Sequence, residues 1–238
     1  MLFRSEAEVR AHYDIGPAPV RIIPNAADTA VFHPIAESAR RAWREANGVR
    51  PDAVLLLFSG GEWARKGLDD ALRGLARLAR PSVQLFVAGD DADRERYHSL
   101  ARELGVGGQV IFGGFRRDIA TALAAADVFL FPSWYEAFSL ATIEAAACGL
   151  PIVATRINGT EDFIQPGVTG EFIEREAEPM AAVLRRLVDD SHARREMGAN
   201  ARRLVEDRYT WDRVAALTEA AYLEHLENAP MNQPQTCP

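Results

Sequence analysis

Val128-Phe-Leu-Phe-Pro-Ser-Trp-Tyr-Glu-Ala-Phe-Ser-Leu-Ala-Thr-Ile-Glu-Ala-Ala-Ala-Cys-Gly-Leu-Pro-Ile-Val153 spells out strand, loop, helix and strand in succession. Val128 to Phe131 is a short apolar run of β-branched and aromatic residues, the pattern of a strand buried on both faces. Pro132 and Ser133 end it and open a loop through Trp134, Tyr135 and Glu136. Helix formers run from about Leu140 to Cys148. Gly149 suits the left-handed position after a helix end, and Pro151 blocks continuation. Ile152 and Val153 then begin the next strand. The unit is one right-handed crossover of a parallel sheet.

Two carboxylates give the segment chemistry. Glu136 lies at the carboxyl end of a strand, where open α/β sheets bind ligands. Ser139 is a helix N-cap, so the free N–H groups around Phe138 to Ala141 point into that crevice with the positive helix end. Glu144 sits just over one turn further, on the face shared with Leu140 and Cys148. Amide donors for an anion beside acceptors for hydroxyls suit a ligand that is part phosphate and part sugar. A capped helix with two solvated glutamates has the same spacing, so the segment alone leaves both readings open.

Glu136-Ala-Phe-Ser-Leu-Ala-Thr-Ile-Glu144, with Ala-Ala-Ala-Cys-Gly-Leu-Pro-Ile-Val-Ala-Thr after it, resembles the E-x7-E signature of the retaining GT-B glycosyltransferases of the group 1 family. From about Val20 to Leu226 the chain resembles the C-terminal, donor-binding half of such enzymes. The implied fold is one Rossmann-like, mostly parallel α/β domain with helices on both faces, a single half of a GT-B fold. The resemblance implies that Glu136 lies by the donor sugar, as the catalytic acid residue, and that Glu144 binds the ribose hydroxyls. Ala137, Phe138, Ser139 and Leu140 fall between them at donor-binding positions.

Length and composition agree with such a domain. The 238 residues allow one large or two small domains with ample core, 48% of them hydrophobic and 26% charged. A net charge of −7 argues against general nucleic-acid binding, which needs a basic face. It does not oppose a small anionic ligand, which a few local donors can hold. Cys148 and Cys237 offer neither a disulfide framework nor a metal set. The absence of a signal peptide or a long apolar segment points to the cytoplasm.

Along the chain, residues 1–19 read as a lead-in segment, 20–227 as the domain and the residues from 228 on as a disordered tail. Val20 to Asn25 is expected to form a short strand stopped by Pro24. The loop to Pro34 matches the family's Pro-Asn-Gly-x-Asp pattern except that Ala26 replaces the glycine. Residues 37–46 read as a helix with Trp43 on its apolar side. Val54 to Phe58 is a strand followed by Ser59-Gly-Gly-Glu-Trp-Ala-Arg-Lys-Gly67 and a helix to Leu78. Gly60 and Gly61 let the backbone approach a ligand, and Arg65 and Lys66 bring two cations to that edge. A turn with surface cations is the alternative. The resemblance carries Lys66 over as a diphosphate ligand. Gly61 stands where the family has an arginine, and Arg65 is taken as its substitute. The spacing is not that of a Walker loop.

Val83 to Ala88 is another buried strand. Asp91 and Asp93 read as the acidic start of the helix through Leu104 rather than as a metal-binding pair, since no His or further carboxylate completes a site. Val110 to Phe115 is a strand whose following loop, by resemblance, holds the nucleotide base, which places Phe115 and Arg116 at the base side. A surface arginine pair is the competing view. Residues 118–126 form a short helix. Beyond Thr155, Gly159 gives close backbone approach, Glu161 begins a short helix, and Phe172 lies in a short strand. Residues 176–190, 191–207 and 211–226 are helical, the last with Val214, Leu217 and Tyr222 toward the core. His192 and His225 are solvated.

The implied activity is hexosyl transfer from a nucleotide-diphosphate sugar with retention, needing no cofactor and no metal if Lys66 and Arg65 neutralise the leaving group. The partner is the nucleotide sugar. The family's acceptor-binding half precedes the donor half, so it is either missing here or supplied by another chain. A lipid acceptor would bring the protein to a membrane periphery. The alternatives are a nucleotide-sugar-binding module without transfer activity and a nucleotide-sugar epimerase.

Overall fold

A computed structural model describes residues 6–17 and 19–228. Six strands, β1 (Val54–Ser59), β2 (Val83–Ala88), β3 (Val110–Gly114), β4 (Val128–Phe131), β5 (Ile152–Thr155) and β6 (Gly170–Ile173), form one sheet in the order β3-β2-β1-β4-β5-β6. Every neighbouring pair is parallel. Parallel neighbours need a crossover, and the helices supply it. These are α1 (Glu6–His12), α2 (Glu37–Ala46), α3 (Trp63–Lys66), α4 (Leu68–Leu78), α5 (Arg94–Glu103), α6 (Ile119–Ala125), α7 (Leu140–Ala147), α8 (Ala177–Asp189), α9 (Ser191–Arg208) and α10 (Trp211–Asn228).

The strands are predominantly apolar because both sheet faces are covered. In β1 the alternation is explicit. Leu55 and Leu57 join a core with Trp43 of α2, Leu123 of α6, Ile143 of α7 and Val205 of α9. Leu56 and Phe58 point the other way, onto Leu72 and Leu75 of α4, Tyr97 of α5 and Leu184 of α8. The α/β fold with helices on both faces, expected from the sequence, is the one observed, and the sheet is parallel throughout.

Chain order runs outward from β1 through β2 to β3, then jumps back to β4 and runs outward on the other side. The reversal between β1 and β4 is a topological switch point, where loops leave in opposite directions and a crevice opens at the strands' carboxyl ends. At the opposite edge Asp127 ties the two strands together. Its carboxylate accepts from the Leu55 N–H (2.7 Å), from Arg44 (2.6 Å) and from Arg40 (2.7 Å), and its own N–H donates to the Leu55 carbonyl (2.8 Å).

Three local expectations are corrected. Val20 to Asn25 is not a strand: Arg21 and Ile22 are exposed, Pro24 lacks a donor, and pairing reduces to a single bridge between Ala27 and Thr210. The segment is held to α10 by an Arg21–Glu224 ion pair (2.6 Å). No helix starts at Glu161. Thr160 bonds the Ile157 N–H and carbonyl and the Thr155 carbonyl through its side chain, and that local competition leaves a run of turns. Tyr222 is 68% exposed and not in the core, while Val214 and Leu217 are half-buried. The expected tail beyond residue 228 and the first five residues lie outside the described residues.

Candidate functional site

The site is built from the loops on either side of the switch point. After β1, Gly60 turns with φ +123°, and a Cβ there would stand 2.6 Å from Cε of Lys66. The missing side chain is therefore what lets the Lys66 stem fold back over the loop. Glu62 holds a left-handed φ of +50°, a conformation that costs a non-glycine residue about 1–3 kcal/mol. It starts the one-turn helix α3, whose Trp63 N–H is satisfied by Asp91 Oδ2 at 2.8 Å. Asp91 thus caps α3 across the sheet edge, while Asp93 precedes α5, as the helix-end reading expected. Among the described residues no three His, Cys, Asp or Glu side chains group as metal ligands.

α3 ends in Arg65 and Lys66, and both reach the loop after β4. Glu136 Oε1 accepts from Lys66 Nζ (2.9 Å), Arg65 Nη1 (3.1 Å) and Ser133 Oγ (3.3 Å). The Lys66 and Glu136 side chains are 14% and 12% exposed, so this is a shielded ion pair and not a surface one. Lys66 also lies over the Phe131 ring, 4.8 Å from its centre. Arg65 is shared: its other nitrogens bond Glu62 Oε2 at 2.7 and 3.0 Å, and Nη1 also donates to the Tyr135 carbonyl at 2.7 Å. Those carboxylates, Glu62 first, hold its pKa above the ordinary arginine value. The backbone is stitched as well, with the Trp134 N–H donating to the Arg65 carbonyl (2.9 Å).

Beyond Glu136 the chain enters α7. Ser139 is its N-cap, as expected, accepting from the Thr142 N–H at 3.4 Å and sharing a 2.5 Å hydroxyl contact with Thr142. The N–H groups of Ala137, Phe138, Ser139 and Ala141 meet no acceptor among the described residues, whereas that of Leu140 bonds the Phe138 carbonyl (3.2 Å). Leu140 is thereby removed from the set of free amides. A Cβ on Gly159 would lie 2.9 Å from the Ser139 nitrogen, so the loop after β5 closes directly on the helix start. Glu144 is half-buried, its carboxylate has no ion-pair or hydrogen-bond partner among the described residues, and burial raises its pKa.

The β3 loop contributes a separate cluster at the same edge. Phe115 is 79% exposed. Arg116 forks onto Asp118 with bonds of 2.8 and 2.7 Å, and the Trp43 indole donates to the same carboxylate at 2.9 Å. Arg116 chiefly, then Trp43, hold the Asp118 carboxyl below its usual range.

The structure therefore unites Arg65, Lys66 and Glu136 by direct contact, and joins Gly60 and Ser139 to them through their loops. Gly61, Phe115, Arg116 and Glu144 lie on that edge or one turn into α7 without touching the trio. Sequence reasoning passed over Ser133, which is fully buried and orients Glu136, and Glu62, which divides Arg65. The signal for Ser133 was its place three residues before the acid, read only as a strand terminator. Arg175, whose guanidinium lies over Trp134, carried no signal at all.

Comparison with known proteins accords with this geometry. The profile of the family described as Glycosyl transferases group 1 matches residues 39–204, more than half of the chain. The lipopolysaccharide glucosyltransferase WaaG of Escherichia coli is 33% identical over 203 residues, covering 82% of this chain and 54% of that protein. A D-inositol 3-phosphate glycosyltransferase of Stackebrandtia nassauensis is 33% identical, covering 94% and 53%. Among solved structures, WaaG superposes with a TM-score of 0.79 at 30% identity, covering 94% of this chain and 61% of that one. Sucrose-phosphate synthase from Thermosynechococcus elongatus gives 0.81 at 27%, covering 94% and 57%. The chain spans about half the length of the curated relatives it matches. No helix among the described residues is long and apolar enough to cross a membrane. With its parallel Rossmann-like sheet, its switch-point site and this matching profile, the chain belongs to the group 1 glycosyltransferases, and its fold is that of one GT-B half.

Proposed function

We propose that this chain is the donor-binding half of a glycosyltransferase that moves a hexosyl group from a nucleoside-diphosphate sugar with retention of configuration. The observation that carries the reading is the meeting of Lys66 and Arg65 with Glu136 across the switch point, beside the free amides at the start of α7. When the bond from the anomeric carbon to phosphate oxygen breaks, its electron pair leaves with the diphosphate. Lys66, Arg65 and the N–H groups of Ala137 and Phe138 stabilise that charge, each charge-assisted bond contributing about 1.5–3 kcal/mol. Glu136 opposes the positive charge developing on the sugar and orients its hydroxyls. The Glu144 carboxylate, which meets no partner among the described residues, accepts from the ribose hydroxyls. Phe115 and Arg116 flank the base. The acceptor hydroxyl passes its proton to the departing diphosphate oxygen as its own oxygen bonds to the anomeric carbon. The E-x7-E spacing supports retention.

In this reading the acceptor is held by a second Rossmann-like half facing the same edge. The exposed Trp211, Tyr222, Leu223 and Leu226 of α10 offer apolar surface for such a neighbour. The chain works in the cytoplasm, and a lipid acceptor would place it at the membrane surface.

Calorimetric titration with UDP-, GDP- and ADP-sugars tests the proposal. Saturable binding of one of them, with thermal protection, is the expected result, and no binding by any would overturn it. Slow donor hydrolysis that disappears in Glu136→Ala separates the enzyme from a binding module.

A further inference from the structure

We propose that Glu136 serves as the site's own counter-anion, occupying in the ligand-free protein the cation pair that a diphosphate takes over. This inference rests on the donor-binding reading and deepens it. Lys66 and Arg65 are the cations that reach the crevice from the β1 loop, and both donate to the same atom, Glu136 Oε1, at 2.9 and 3.1 Å. The second carboxylate, Glu62, takes two further bonds from Arg65. Within this cluster two positive charges thus face two negative ones. Lys66 and Glu136 are shielded from solvent, so salt and water weaken their attraction little.

Diphosphate binding is then an exchange and not a simple addition. Phosphate oxygens replace Oε1 on Lys66 and Arg65, no covalent bond changes, and the carboxylate is released toward the sugar. Ser133 stays behind to hold it, since its hydroxyl lies 3.3 Å from Oε1 and 3.2 Å from the Tyr135 carbonyl. The acid that orients the sugar becomes available only once the leaving group is seated. A nucleoside monophosphate, lacking the second phosphate, leaves the pair in place. Part of the attraction between cations and diphosphate is consumed in separating Glu136 from them, and a neutral residue at that position removes this cost.

The experiment is titration calorimetry of wild type, Glu136→Gln, Glu136→Ala and the double variant Lys66→Ala/Glu136→Gln. The probes are UDP, GDP, ADP, their monophosphates and inorganic pyrophosphate, and melting curves verify that each variant is folded. Removing one charge-assisted competitor raises affinity on the order of tenfold. Glu136→Gln is therefore expected to bind pyrophosphate, and whichever nucleoside diphosphate the wild type prefers, about that much more tightly. Monophosphate affinity stays unchanged, and the double variant loses the gain. Glu136→Ala, which also lacks the carboxylate, shows the same direction if Gln disturbs the loop. Wild-type binding with no gain in either folded single variant would overturn the inference and leave the donor-binding reading standing. No binding of any diphosphate by any of the chains would bring down both.

Discussion

Lys66 Nζ donates to Glu136 Oε1 at 2.9 Å across 70 residues of chain, from the last residue of a one-turn helix to a loop that leaves the sheet in the opposite direction. The contact exists because β1 and β4 are spatial neighbours although two strands and three crossovers separate them in the sequence.

Lys66→Ala removes the better shielded cation. Donor affinity is expected to fall by about 2–3 kcal/mol, as checked by titrating the preferred nucleotide sugar. Arg65→Ala is expected to cost less, because its guanidinium is divided between Glu62 and Glu136.

Asp127 lies at the far edge of the sheet and acts on stability alone. Its Arg44 partner is 8% exposed at the side chain. Asp127→Ala leaves that guanidinium buried with only the Ala125 and Ala53 carbonyls and frees the Leu55 N–H. A loss of about 3–5 kcal/mol in urea unfolding is expected.

Gly67 separates α3 from α4 at φ +78°, where a Cβ would stand 2.1 Å from the Pro132 carbonyl oxygen. Gly67→Ala combines left-handed strain of about 1–3 kcal/mol with a backbone clash. The expected outcome is a lower urea midpoint together with weaker donor binding, since moving Pro132 moves Glu136.

Glu144 gives a pH signature. Burial raises its folded-state pKa, so the unfolded chain ionises first. The penalty is absent below the ordinary carboxylate range, grows as pH rises from the unfolded to the raised folded value, and is full above that value. Glu144→Gln should therefore melt above wild type at pH 7, with the curves converging below about pH 4. Its donor affinity should nevertheless be lower, because the ribose loses an anionic acceptor.

Cys148 is 4% exposed, and burial pushes its thiol up to about 12. Peptide mapping after iodoacetamide treatment at pH 8 should show Cys148 unmodified in the folded protein and labelled in urea.

The layers of this fold were legible because a strand buried on both faces has little alternative to a mostly apolar run, and β1, β2, β4 and β5 each show one. The placement of Glu136, Lys66 and Ser139 was legible because strand ends, glycines and caps mark the carboxyl edge of a parallel sheet. Their contact was not. Which loops touch depends on strand order, and nothing local in Ser59 to Gly67 says that β4 lies beside it. Val20 to Asn25 failed for a related reason: its apolar residues permit a strand, but no neighbouring strand lies there to pair with it. Thr160 and Tyr222 failed where a single side chain or a missing neighbour overrode periodicity.

The seam between β1 and β4 is short, with only Leu56–Val128 and Leu57–Phe129 in register. Two three-stranded panels meet there, riveted at one end by Asp127 and latched at the other by Glu136 on the two cations. Whatever draws Lys66 and Arg65 off that acid undoes the latch and must itself span the gap. A seated diphosphate would then be a fastener as well as a leaving group, and its departure hands the joint back to the acid.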